Sequence, residues 1–212
     1  VPQKTRLIND SLLSNIILES DEKLKNEKRF NDAIKFAQLE KTVKDSESLR
    51  GYGVIMNPNT GEIYAMASYP FFNPNNFTKY NELSKKNLPV WNLFEPGSIM
   101  KSFLVASAID NNNIDETTII DCENGKRKIG GHTIRDVNPK GKLDPEDILR
   151  FSSNIGASKI IEKLTGKKYY EYLKSFGFGK KTNIGLPGEG IGMLTTPDKW
   201  SKIKLANISF GQ

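Results

Sequence analysis

Apolar positions at the start of the chain recur at helical spacing. Leu12, Leu13, Ile16, Ile17 and Leu24 share a face with Ser20, and Asp10 or Ser11 is placed to cap that helix. A second helix is predicted from about Asn31 to Lys44, where Ala33, Ile34, Ala37 and Val43 form a partial stripe. Ser46 to Arg50 reads as a link. The periodicity then shortens. Gly51 to Met56 reads as a strand, Asn57-Pro58-Asn59-Thr60-Gly61 as a turn, and Glu62 to Ser68 as the returning strand. Tyr69 to Phe77, rich in Pro, Asn and aromatics, reads as an ordered loop.

A helix starts near Ser98 and carries no charge from Ser102 to Ile109. A helix apolar on every side is expected to be buried. Asp110-Asn111-Asn112-Asn113 ends it, and Gly125 to Gly141 reads as turns and short strands. Pro145 suits the first turn of a short helix reaching about Arg150. Phe151-Ser152-Ser153 breaks it. The next helix starts at Asn154 or Ile155 and runs to Leu164, with Gly166 as its expected stop. Tyr169 to Phe176 is a further helix, and Gly177 to Gly192 is glycine-rich loop. Thr195-Thr196-Pro197-Asp198 is expected to cap a last helix to about Leu205.

Composition narrows the chemistry more than the fold. The single Cys122 excludes an intramolecular disulfide, and the single His132 argues against a histidine zinc site and a Ser-His-Asp triad. His132 follows Gly130-Gly131 and reads as a structural or solvent-facing turn residue. The net charge of +6 comes from lysines mixed with acids, as in residues 21–29, which describes a solvated face rather than a nucleic-acid patch. The chain has no apolar run of about 18 residues, so it contains no membrane-spanning helix. Val1-Pro2-Gln3-Lys4 reads like the interior of a longer polypeptide.

The candidate chemistry centres on Ser98 and Lys101. The pattern S-x-x-K occurs three times, at Ser20/Lys23, Ser98/Lys101 and Ser201/Lys204. In the second alone, Pro96-Gly97 precedes the serine and an apolar helix follows it. Side chains at i and i+3 lie on one helix face. Burial lowers an ammonium pKa, and a neutral amine beside a hydroxyl is a general base beside a nucleophile. The backbone N–H of Ser98, at the positive end of the helix, suits a developing oxyanion. Ser152-Ser153-Asn154 is the one S-x-N in the chain, in the break between two helices. There Ser152 can relay a proton, and Asn154 can bond the substrate amide or the lysine. The bland alternatives are helix caps for all three serine and asparagine positions and a snorkelling lysine.

These residues carry a resemblance. Phe94-Glu95-Pro96-Gly97-Ser98-Ile99-Met100-Lys101 resembles the active-serine motif of class B penicillin-binding proteins, and Ser152-Ser153-Asn154-Ile155-Gly156 resembles their second motif. Gly53 to Ser68 is similar to the family's hairpin. Gly131-His132-Thr133-Ile134-Arg135-Asp136 and the glycine-rich run from Phe176 to Glu189 are similar to two further family stretches. Phe210-Gly211-Gln212 resembles the start of its F-G-Q-G element. Phe94-Glu95 points to the division-type enzymes.

The resemblance implies an α+β, β-lactamase/transpeptidase-like fold, an antiparallel sheet packed against helices. It implies a helical lead-in over residues 1–50, with the hairpin and helical subdomain over 51–212. It implies a peptidoglycan D,D-transpeptidase, with Ser98 as nucleophile, Lys101 as base, Ser152 as relay and Asn154 as relay and substrate holder. The implied partners are stem peptides, β-lactams and cell-division membrane proteins. No nucleic acid, cofactor or metal is implied. The location would be the outer face of the bacterial cytoplasmic membrane, with an anchor before Val1. The family's third motif, Lys-Thr/Ser-Gly, is missing; Lys181-Thr182-Asn183 belongs to the glycine-rich run. The expectation is a truncated chain, without the last sheet strands, inactive or poorly folded by itself. The rivals are a D-Ala-D-Ala carboxypeptidase, a serine β-lactamase (for which Glu162, Glu171 and Glu189 offer no convincing hydrolytic base) and a non-enzymatic scaffold.

Overall fold

A computed structural model describes residues 39–212. The first predicted helix, most of the second and the Ser20/Lys23 pair lie outside the described residues. The chain divides into two compact units. One holds the described residues 39–92 with 183–190; the other holds 93–182 and 191–212.

In the first unit, α1 (Leu39–Asp45) packs on an antiparallel hairpin of β1 (Gly51–Met56) and β2 (Ile63–Tyr69). Val43 is buried against the hairpin, and Gly51 is required there because a β-carbon would collide with the Val43 side chain. Ala65, Met66 and Leu88 complete the small core. Leu88 opens α2 (Leu88–Trp91) and donates its N–H to Ser68 Oγ at 3.1 Å. The loop after β2 contains a 3-10 turn, Pro74–Lys79.

The second unit is mostly helical. Its helices are α3 (Met100–Asp110), α4 (Pro145–Arg150), α5 (Asn154–Leu164), α6 (Gly166–Ser175) and α7 (Lys202–Ser209). Two short antiparallel pairs accompany them: β3 (Ile120–Asp121) with β6 (Lys142–Leu143), and β4 (Lys126–Ile129) with β5 (His132–Arg135). Gly130 and Gly131 both have positive φ, as a two-residue hairpin turn demands. His132 opens β5 and is exposed.

Helix α5 is the hub of this unit and packs on both α3 and α7. Leu104, Ala108, Ile155, Ala157, Ile160, Ile161 and Tyr169 are fully buried around it. At roughly 1.5–3 kcal/mol for a buried aliphatic or aromatic side chain, this cluster holds the helices together. Gly156 lets Ile148 of α4 sit directly on α5. Arg127 ties the β4–β5 hairpin to the same helix, reaching Glu162 at 2.9 Å and Ser158 at 2.9 Å.

Three sequence expectations change here. Helix α3 is not buried on every side: Ser102, Ala106, Ile109 and Asp110 form an exposed stripe. Absence of charge marks a helix that can be buried; it does not supply neighbours on every side. Gly166 does not stop α5. Thr165, at φ 75°, ends it and caps α6, while Gly166 is small because a β-carbon would crowd Leu205 and Trp200. The last helix is not capped at Thr196 either. Pro197–Lys199 is a separate 3-10 turn, and Ser201 caps α7.

Candidate active site

The entrance to α3 is a 3-10 turn, Gly97–Ile99, and neither element has a side-chain cap. Gly97, at φ 61°, donates its N–H to the carbonyl of Gly211 at 3.1 Å. A β-carbon on Gly211 would strike the Gly97 backbone. The turn bearing Ser98 thus rests on the Phe210-Gly211-Gln212 segment, backbone against backbone.

Ser98 is exposed, whereas Lys101 is only 1% exposed. The Lys101 Nζ sits among four oxygens. Ser98 Oγ lies at 3.0 Å, the Ser152 carbonyl at 2.7 Å, Ser152 Oγ at 2.9 Å and Asn154 Oδ1 at 2.8 Å. Burial pushes the lysine from its ordinary 10.5 down to about 8, with Asp136 pulling the other way. Near neutral pH the neutral amine is the minor form, yet far more populated than in an ordinary lysine.

Ser152 has φ 55°, the left-handed region that non-glycine residues rarely enter. That conformation turns both its carbonyl and its hydroxyl toward Lys101. Ser153, not Ser152, is the helix cap: its Oγ accepts from Gly156 N at 2.9 Å. The capping alternative therefore fails for Ser98 and Ser152. It holds for the Ser201/Lys204 match, where Ser201 Oγ accepts from the backbone N–H of Lys204. Asn154 spends its amide oxygen on Lys101 and donates Nδ2 to the Arg135 carbonyl at 3.1 Å.

The structure therefore brings Ser98, Lys101, Ser152 and Asn154 to one point. It adds Asp136, to which the sequence assigned no role. This carboxylate is buried and accepts from Ser153 Oγ and from the N–H groups of Asn154 and Ile155. Its signal in the sequence was its place at the end of the family-like stretch Gly131-His132-Thr133-Ile134-Arg135-Asp136. Glu162 is bound to Arg127, and Glu171 pairs loosely with Lys168 on α6. Among the described residues, no three His, Cys, Asp or Glu side chains converge to hold a metal ion, and no helix is long and apolar enough to cross a membrane.

Likeness to solved structures establishes the class. The TP domain of penicillin-binding protein 3 from Burkholderia pseudomallei superposes with a TM-score of 0.73 at 28% identity, covering 83% of this chain and 49% of that one. The architecture is the α+β transpeptidase fold. Residues 51–212 match the family described as penicillin binding protein transpeptidase domain, and the chain belongs to it. Among its relatives, the probable peptidoglycan D,D-transpeptidase PbpC of Pseudomonas aeruginosa is 38% identical over 178 residues, 84% of this chain and 32% of that protein. The peptidoglycan D,D-transpeptidase FtsI of Buchnera aphidicola is 36% identical over 206 residues, 97% of this chain and 34% of that protein. The chain thus spans about a third of the length of these relatives.

Proposed function

We propose that this chain contributes the serine-nucleophile half of a class B, division-type peptidoglycan D,D-transpeptidase. The observation that carries the reading is the contact of Lys101 Nζ with Ser98 Oγ, closed by Ser152. Neutral Lys101 takes the proton of Ser98 as Oγ attacks the carbonyl of the penultimate D-Ala of a stem peptide. The backbone N–H of Ser98 at the helix entrance faces the developing oxyanion. Ser152 passes the proton on to the departing D-Ala amine, leaving an acyl-enzyme. An amine of a second stem peptide then takes the acyl group, and the crosslink forms. Asn154 holds the lysine through Oδ1, and the second hydrogen of its Nδ2 is left for the substrate amide carbonyl. β-Lactams enter by the same attack and remain bound to Ser98.

Residues 51–212 serve as the transpeptidase part of the polypeptide, working on the outer face of the cytoplasmic membrane, where peptidoglycan lies. Cell-division membrane proteins are its expected neighbours. The names of the relatives support the transpeptidase part of this reading. The test uses the intact polypeptide and a fluorescent penicillin. A stable label on the wild type and none on Ser98→Ala is the expected result; equal labelling of the two overturns the reading. Fast release of the label would show a hydrolase instead.

A further inference from the structure

We propose, resting on the acyl-transfer reading above, that Asp136 is a positioning residue that locks the Ser152–Asn154 corner onto Lys101. Asp136 is 7% exposed, and its carboxylate takes three hydrogen bonds. Oδ2 accepts from Ser153 Oγ at 2.6 Å, and Oδ1 from Asn154 N at 2.6 Å and Ile155 N at 3.1 Å. The two N–H groups belong to the first turn of the eleven-residue α5, where no intrahelical acceptor exists and the dipole favours an anion. Asp136 therefore fixes Ser153, Asn154 and Ile155 together.

The consequence falls on Ser152. On one side Phe151 N is bound to the Asp147 carbonyl at 2.8 Å, ending α4; on the other, Ser153 is held by Asp136. Between them Ser152 closes α4 in the left-handed conformation, with its N–H on the Leu149 carbonyl at 3.2 Å and the Ser153 N–H on the Ile148 carbonyl at 3.0 Å, and that conformation aims it at the lysine. Such a conformation persists only where the surroundings over-determine it. The neighbouring Arg135 carbonyl adds a second hold, on Asn154 Nδ2.

Asp136 also acts at a distance. Ser98, Ser152 and Asn154, which touch Lys101 Nζ, are uncharged; Asp136 is the carboxylate whose field reaches it and favours the ammonium form. Two other titratable groups lie close by. The Tyr169 hydroxyl donates to the Met100 carbonyl, and the Cys122 thiol lies against Ser153; burial pushes both upward, so both stay neutral. On the packed helices, Arg150, Glu162, Glu171 and Lys204 are at the surface.

The experiment compares Asp136→Asn and Ser153→Ala in the intact polypeptide. It follows the rate of acylation by fluorescent penicillin from roughly pH 6 to pH 10. Asp136→Asn should lower the plateau rate at least about tenfold and move the acid limb to lower pH, because a charge that favours the ammonium is gone. Ser153→Ala should lower the rate with the limb unmoved, because the charge stays. A wild-type plateau and an unmoved limb in Asp136→Asn overturn the proposal. If that variant does not fold, a wild-type rate in Ser153→Ala overturns it instead. Ser98→Ala separates the two levels. If it takes up label, the acyl-enzyme reading itself fails; if it is blank while Asp136→Asn behaves as wild type, only the role of Asp136 falls.

Discussion

The hydroxyl of Ser152 lies 2.9 Å from the hydroxyl of Ser98, across 54 positions of sequence. Two helix entrances are needed to produce that contact, and it gives the nucleophile a second proton route beside Lys101. Ser152→Ala should slow acylation of the intact protein by labelled penicillin about 10²-fold, within the usual range for a lost proton-transfer group. Stopped-flow acylation alongside a thermal melt checks this. A wild-type rate in a folded variant would remove Ser152 from the mechanism.

Lys101 sets the pH response. Its neutral form does the work, so acylation should rise with pH along an acid limb centred near 8. Asn154→Asp puts a carboxylate on the same amine and should move that limb to higher pH. The stability sign runs the same way. The folded lysine sits below its ordinary 10.5, so the unfolded chain binds more protons between about 8 and 10.5. The lysine's contribution to stability therefore rises with pH across that window, and denaturant titrations of wild type against Lys101→Met should show the difference closing as pH climbs.

Two glycines of similar conformation should respond unequally to the same change. Gly61 has φ 72° and open space around it; Gly211 has φ 82° and the Gly97 backbone directly against it. Gly61→Ala should cost about 1–2 kcal/mol, the strain of a left-handed alanine. Gly211→Ala should lower the melting temperature further and depress acylation as well, since the turn bearing Ser98 must shift. Equal melting temperatures and equal acylation rates in the two variants would contradict the packing described.

The Tyr169 hydroxyl donates to the Met100 carbonyl at 3.3 Å from within the core. Tyr169→Phe keeps the ring and loses that bond. About 1 kcal/mol of stability should go with it, while acylation stays within about twofold of wild type. Chemical denaturation and a labelling time course measure the two effects separately.

Much of this molecule is legible in its sequence because the signals are local. The β1–β2 hairpin announces itself through Asn57-Pro58-Asn59-Thr60-Gly61, and the start of α5 through the break at Phe151-Ser152-Ser153. Ser98, Lys101, Ser152 and Asn154 stood out by spacing and by the breaks around them. Asp136 was visible only as the end of a family-like stretch, because nothing along a chain with 25 acidic residues tells which carboxylate is buried under a helix terminus. Gly166 reads as a helix stop for a similar reason: only the approach of Trp200 and Leu205 shows that it is small for packing. The exposed stripe of α3 was hidden because an uncharged helix face reads the same whether or not anything covers it.

Two of the four oxygens around the amine of Lys101, the Ser152 carbonyl and Asn154 Oδ1, can never donate. In either charge state they keep two of its hydrogens occupied. The nitrogen's remaining valence has only one way to point, into the gap between two hydroxyls. Rotation about the last bond of the side chain is thereby frozen out. The lysine is held as an oriented acceptor between the Ser98 and Ser152 hydroxyls.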